Sequence, residues 1–378
     1  MCHLGKQSSK YLEIVANSDF EIVRPKRARL RYVGASRQCD LSSPAYELRF
    51  LGISSCFGNA VRMSLRVLVT GGSGFIGAAL SRNFIQRGSE VKVFDNGSRG
   101  RMRRLDDVKK DFEYIEADIR DTDAVLQATK NIDVLFHLAF INGTANFYSR
   151  PAEILDIGIQ GMYNVLKAVK ENNVGQFFLA SSSEVYQVPT IFPTPEDVPL
   201  VVPDMSNPRY SYGLGKIVQE FLLTHAAPEI PRKIVFRPHN IYGPDMGNMH
   251  VIPELFQKIR DSRDGKLVLK GDGTQSRSFC YINDFVQAIN VILDSDIKSS
   301  TLNIGTPEEV TILELAGQIM TTLSRHLEVE HAVSPSGETN RRLPDISKVE
   351  SLGFKQNVDL RAGLELYNSW FSTEGETE

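Results

Sequence analysis

No apolar run in this 378-residue sequence approaches the roughly 18 uncharged residues that a membrane span needs, so no membrane-crossing helix is expected. Cysteine is scarce. Cys2, Cys39, Cys56 and Cys280 stand at no metal-ligand spacing, which predicts free thiols in a reducing, cytoplasmic setting, with no metal. Neither sign of charge dominates: 43 Lys and Arg against 46 Asp and Glu give a net charge of −3 and no reason to expect nucleic acid as a partner. What is present is ordinary for a globular chain of one or two domains, 42% hydrophobic and 24% charged. A chain of this length buries a large core without disulfide staples.

The first 62 residues differ from the rest. They hold ten Lys and Arg against five Asp and Glu, a balance of +5 that leaves −8 for the remainder. Three of the four cysteines fall here, with a basic cluster at Arg24, Lys26, Arg27, Arg29 and Arg31. Met63 stands directly before the first strand, where a compact domain of this kind could begin. A disordered extension, an organelle transit peptide and a start codon placed too early compete. Transit peptides are poor in acids, and Glu13, Asp19, Glu21, Asp40 and Glu47 count against one. A non-structural extension is the expectation.

The stretch that organises the chain is Thr70-Gly71-Gly72-Ser73-Gly74-Phe75-Ile76-Gly77. The β-branched run Leu65–Val69 precedes it, and Ala78, Ala79, Leu80, Phe84 and Ile85 follow at helical spacing. The glycines therefore sit on a strand-to-helix turn, the context that gives a glycine-rich match meaning. Gly71 can take the angles of the turn, Gly74 lets a pyrophosphate approach the main chain, and Gly77 lets the helix lie close to the strand. The free N–H groups of that helix end, around Phe75 and Ile76, suit phosphates. A dinucleotide site is predicted. The second strand, Glu90–Phe94, ends at Asp95, 18 residues past Gly77. A carboxylate there accepts from ribose hydroxyls and repels a 2′-phosphate, favouring NAD over NADP. Arg99, Arg101, Arg103 and Arg104 could neutralise a 2′-phosphate, but read first as a solvated basic face.

Further strands are expected at Phe112–Glu116, Val134–Ala139, Gln176–Ala180 and Ile234–Phe236, with a helix from Ala152 to Val169. Asp118 and Ile119 leave the third strand where an adenine would lie. His137 reads as a core histidine rather than a catalyst. Alternating strands and helices mean an α/β, Rossmann-like, doubly wound parallel sheet over residues 63–243, with ligands at the strand C-termini. Residues 244–378, with more prolines and shorter elements, read as a smaller substrate-binding α/β domain with some return to the main sheet. Within it, Arg277 closes a turn-rich loop and suits a diphosphate, and Arg341 and Arg342 could add to that grip.

The fifth strand empties into Ser181-Ser182-Ser183-Glu184-Val185-Tyr186, where the ligand crevice would lie. Further on, Tyr212 and Lys216 are four residues apart and share one helical face. An ammonium about 4–6 Å from a phenol favours the phenolate, so Tyr212 is expected to be acidified and able to move a proton near neutral pH.

These residues, with Asp95-Asn96, Ala117-Asp118, His137-Leu138-Ala139, Arg237-Pro238-His239-Asn240-Ile241-Tyr242-Gly243-Pro244, Gly271-Asp272-Gly273 and Asn303-Ile304-Gly305, resemble the extended short-chain dehydrogenase/reductases, in the NAD-dependent sugar-nucleotide epimerase/dehydratase branch. The resemblance covers residues 65 to about 370. It implies Tyr212 as the general base on a sugar hydroxyl, usually at C4, and Lys216 holding the nicotinamide ribose. It implies Ser182 on the reacting oxygen, Ser183 beside it, and Asn240, Arg277 and Arg342 on the nucleotide diphosphate. Bound NAD, a nucleotide-diphosphate-sugar substrate and a homodimer are implied as well. The chain departs from the family pattern at Gln187, often Gly, and at Gly158, often Asn. Phe140 replaces a small residue beside the nicotinamide.

Three chemistries share the opening oxidation that the resemblance implies. A 4-epimerase returns the hydride to the other face of the keto-sugar. A 4,6-dehydratase uses an extra Asp-Glu pair, but here the pair is Ser183-Glu184, so the base candidate remains and the acid is missing. UDP-glucuronate decarboxylases carry a pattern similar to Ser182–Tyr186. Epimerase comes first, with decarboxylase or another C4-keto chemistry behind it. A non-catalytic nucleotide-binding regulator is the reading of a different class, and a reductase that releases its cofactor is a third.

Overall fold

The computed structural model describes residues 64–333 and 339–373, and in a separate unit two short strands, Arg31–Gly34 and Arg37–Asp40, that pair antiparallel. The expected extension over residues 1–62 otherwise lies outside the described residues.

From residue 64 onward, seven strands form one parallel sheet: β1 (Arg66–Thr70), β2 (Glu90–Asp95), β3 (Phe112–Glu116), β4 (Val134–His137), β5 (Gln176–Ala180), β6 (Arg232–Pro238) and β7 (Ser299–Ile304). Their order is β7-β6-β5-β4-β1-β2-β3, parallel throughout. The order reverses beside β1, which opens a crevice at the strand C-termini between β1 and β4. Both faces are covered, which is why the strands are nearly continuous apolar runs. Val67, Val69, Phe136, Phe178 and Phe236 enter one core, while Leu68, Leu135, Phe177, Leu179 and Val235 enter the other.

The helices that matter for the site are α1 (Phe75–Gln86), α2 (Thr122–Ala128), α3 (Thr144–Ser149), α4 (Pro151–Glu171) and α5 (Ser211–His225). Pro151 opens α4 at the position where a missing N–H costs nothing. Gly71 has φ +69°, the left-handed angle its turn needs. A Cβ on Gly77 would stand 2.8 Å from Gly72 Cα, so α1 can begin against the loop only with glycine there.

The chain after residue 243 is not confined to a second domain. The strand β7 returns to the main sheet and pairs with β6 from Ser299↔Lys233 to Ile304↔Pro238. Smaller sheets carry the cleft's far wall: Lys266–Lys270 with Glu328–Ala332, and Ser276–Ser278 between Glu309–Thr311 and Arg341–Arg342.

A buried polar network ties these strands below the crevice. Arg237 on β6 donates to both oxygens of Glu220 on α5 (2.9 and 2.6 Å) and to the Tyr186 hydroxyl (2.8 Å). Tyr186 in turn donates to Asn303 Oδ1 on β7 at 2.7 Å. The Ser181 hydroxyl donates to Glu220 as well. Removing one partner of a buried ion pair strands the other charge, at a cost of about 3–5 kcal/mol. The Glu220→Ala variant is therefore expected to lose stability of that order. A urea unfolding midpoint equal to wild type would contradict this role.

Candidate functional site

A single cleft of about 1470 Å³ runs from the glycine loop, over the C-terminal ends of β1, β4 and β5, to the small sheet carrying Arg277 and Arg342. Drug-sized ligand pockets span roughly 300–1,000 Å³. This one has room for a dinucleotide and a second ligand together.

At one end, Gly71, Gly74, Phe75, Ile76 and Gly77 line the wall. The first helical bond of α1 runs from Ala78 N to Gly74 O, at 2.9 Å. The preceding amides lie at the positive helix end, where a phosphate is favoured. Asp95 lines the same wall and is buried, its carboxylate accepting from Ser73 N (3.1 Å) and Gly97 N (3.0 Å). It thus braces the loop that it adjoins. Asn96, Ile119, Leu138 and Ala139 line the cleft too. Asp118 does not. Its carboxylate is gripped by Arg120 (2.9 and 3.0 Å) and Asn96 (3.1 Å), and those bonds hold it down to about 2.

The four arginines after Asp95 are not one solvated face. Arg104 is buried and donates to the Asp245 carbonyl at 2.9 Å. Arg103 pairs with the Asp245 carboxylate at 2.8 Å, and Arg99 donates to the Asn142 carbonyl. Loop carbonyls and the Asp245 carboxylate capture them, and all four line the cleft rather than its outside. His137 is a satisfied core histidine, 2.8 Å from Thr70 Oγ1, and burial pushes it down to about 3.

In the middle of the cleft, Tyr212 and Lys216 stand one turn apart on α5, both buried. The Tyr212 ring stacks on Phe147 (4.8 Å, 13°) and meets the edge of Phe140 (5.2 Å, 89°). The expected acidification is reversed here. Burial raises the Tyr212 phenol, and the hydrogen bond with Ser182 only partly offsets it. Lys216 offsets little of that rise, because its donors are taken up elsewhere. It donates to the Ala180 carbonyl (2.7 Å) and Gln219 Oε1 (3.0 Å) and sits 5.9 Å from the Tyr212 ring centre. Burial lowers Lys216 itself to about 7. Desolvation outweighs the pairing inferred from spacing.

Ser182 and Ser183 follow β5 into the cleft, and the Ser182 hydroxyl caps the next turn by accepting from Glu184 N at 3.1 Å. Glu184 is held by the Arg342 fork at 2.6 and 2.7 Å, with Arg209 at 3.6 Å. Burial opposes its ionisation, but Arg342, then Arg209 and Arg277, outweigh burial and hold the carboxyl down to about 2. So tight a carboxylate is a poor base, and Arg342 is engaged by it rather than open to a diphosphate. Asn240 lines the cleft in a left-handed conformation (φ +42°), its amide donating to Ser278 O at 2.8 Å. Arg277 lines the wall beyond it.

Phe147, Gln219 and Arg209 also bear on the site. Nothing in α3 marked Phe147. Gln219, on the turn after Lys216, also donates to Gly158 O at 3.0 Å, and three-residue spacing could have found it. Arg209 lies three residues before Tyr212, and its Nε and Nη1 are buried in the cleft wall without a hydrogen-bond partner.

The geometry can be set beside known proteins. Residues 67–305 match the model of the NAD dependent epimerase/dehydratase family. The chain is 32% identical over 320 residues to a UDP-N-acetyl-alpha-D-glucosaminuronate decarboxylase from Bacillus cytotoxicus, covering 82% of this chain and 98% of that one. Among solved structures, the UDP-glucose 4-epimerase of Thermotoga maritima with UDP-glucose has a TM-score of 0.74 at 26% identity, over 82% of this chain and 99% of that one. MoeE5 in complex with UDP-glucuronic acid and NAD gives 0.71 at 26% identity, over 81% and 99%.

Glu184 gives a pH test. Its folded value lies below the ordinary 4.5, so its stabilisation is full above about pH 5 and is lost as pH falls towards 2. The stability difference between wild type and Glu184→Gln, followed by urea unfolding, is expected to shrink over that range. A gap constant from pH 7 to pH 3 would refute the ion pair.

Proposed function

The chain belongs to the NAD-dependent epimerase/dehydratase family, and we propose that within it the protein is a nucleotide-sugar epimerase acting through transient oxidation of a sugar hydroxyl, at C4. The observation that carries this reading is that Tyr212, Lys216 and Ser182 line the same cleft as the glycine loop. The amides opening α1 suit the pyrophosphate of NAD, and Asp95 suits its adenosine ribose. When bound, NAD would supply the acceptor, and later the donor, for the sugar's hydride.

The chain's own residues do the rest. Asn240 and Arg277 hold the nucleotide diphosphate, an anchor whose binding orients the sugar. Ser182 donates to the reacting oxygen while Tyr212 takes its proton. A phenol this buried gives up its proton only when positive charge stands near it; Arg99 supplies some, and Lys216 as an ammonium would add to it. Ser183 carries no carboxyl, so the acid that a 4,6-dehydratase needs is absent from that position. Glu184, tied to Arg342, organises the wall more than it moves protons. The same reading, through the family resemblance, expects a cytoplasmic homodimer.

One observation favours a second reading, decarboxylation of a nucleotide-linked uronate. Arg209, whose Nε has no hydrogen-bond partner and whose Nη1 meets Glu184 only at 3.6 Å, suits a carboxylate on the sugar. The similarity to a glucosaminuronate decarboxylase is in keeping with it.

Incubation with UDP-, GDP-, CDP- and dTDP-sugars, followed by NMR of the products, separates these chemistries. A C4 epimer is the expected product. Release of CO2 from UDP-glucuronate, or a dehydrated keto-sugar, would overturn the epimerase. The Tyr212→Phe variant is expected to lose roughly 10²–10⁴-fold in turnover while keeping NAD bound. Unchanged turnover would refute the base, and absence of any turnover in the wild type would point to a non-catalytic regulator.

A further inference from the structure

Two departures from the family pattern meet at one point in space. Phe140 follows β4, and Gly158 lies in the middle of α4. A Cβ on Gly158 would overlap the edge of the Phe140 ring and stand 2.6 Å from its Cζ. A Cβ on Gly215, one residue before Lys216 on α5, would stand 2.8 Å from the same Cζ. Two helices thus each lack a side chain where one ring lies between them. Glycine inside a helix costs about 1 kcal/mol against alanine, so two that open the same notch answer to its occupant. That occupant lies 4.2 Å below the Lys216 ammonium, measured to the ring centre, with its edge against Tyr212.

An ammonium has three N–H donors. Two of those on Lys216 go to the Ala180 carbonyl and Gln219 Oε1, and the third side faces the Phe140 ring. We propose that Phe140 is a positioning residue for the Tyr212–Lys216 pair: seated in the Gly158–Gly215 notch, it keeps water from the ammonium and fixes the direction of its donors. The proposal rests on the proton-transfer reading of that pair given above.

Its consequence is a lysine that changes charge within the working pH range. Of the titratable groups facing Lys216, Glu220 alone favours its proton, and burial outweighs it. Glu220, on the same helix, is taken up by Arg237 and Ser181. His137 on β4 is neutral and bonded to Thr70. Tyr212 is protonated. Dehydration at full burial lowers a lysine's proton affinity by roughly three to five powers of ten, whereas a ring face returns about one. Exclusion of water by Phe140 therefore outweighs the attraction of its face, and admitting water raises the affinity.

Competitive acylation of Lys216 with acetic anhydride, read by mass spectrometry across pH, tests this without substrate or turnover. It decides the proposal even if the protein proves not to be an epimerase. In wild type the labelling midpoint is expected near 7. In Phe140→Ala it should rise at least tenfold in proton affinity. Gly158→Ala, which leaves the ring in the chain but drives it from the notch, should move it the same way. Phe140→Leu refills the notch and should restore the midpoint. Where turnover is measurable, the limb of the kcat pH profile set by Lys216 should move with the label. A midpoint unmoved in both Phe140→Ala and Gly158→Ala, or a leucine no better than alanine, would overturn the proposal.

Discussion

A buried ammonium is the constraint around which the crevice is built. Lys216 is almost wholly shielded from water, and a charge so placed must have its donors met. The Ala180 carbonyl at the end of β5 meets one and Gln219 meets another. These bonds fix how α5 crosses the sheet, because the helix can carry Lys216 to that carbonyl in only one register. Tyr212, one turn earlier, is then delivered beside Ser182, the second residue after β5. Gln219 carries the same constraint to α4 through the Gly158 carbonyl.

Beneath this lies a second, buried polar layer. Glu220, Arg237, Tyr186 and Asn303 form one hydrogen-bonded line from α5 through β6 to β7. Burying so many polar atoms stabilises the fold only if each is satisfied, and the network is worth more in specificity than in net energy. It explains why a segment from the far end of the chain enters the main sheet. Asn303 is needed there to complete the pairing, accepting from Tyr186 while donating to the Thr194 and Asp345 carbonyls at 3.0 Å each.

The fold and the nucleotide loop were legible because their signals are local. The loop Gly71–Gly77 sits between a strand and a helix, and the apolar runs gave six of the seven strands of the sheet nearly at their observed bounds. The seventh, Ser299–Ile304, starts on polar residues of which Ser299 is exposed, and shows no continuous apolar run. Its place depends on β6 alongside it. Site residues were legible as members of one cleft, Asp118 apart, but not as chemical states. Glu184 reads in sequence as a base candidate, and its partner is Arg342, 158 residues away. Arg104 reads as a surface cation, and it is buried against carbonyls on both sides of the cleft.

By itself the sequence determined the α/β class, the phosphate-binding turn and the spacing of Tyr212 with Lys216. All three follow from backbone geometry and side-chain periodicity over a few residues. Only the tertiary structure decided which way that pair is poised. Whether a lysine acidifies a tyrosine depends on how much water each retains and what else their hydrogen bonds reach. Those conditions are set by Phe140, Phe147 and Ala180, brought from separate elements to one place.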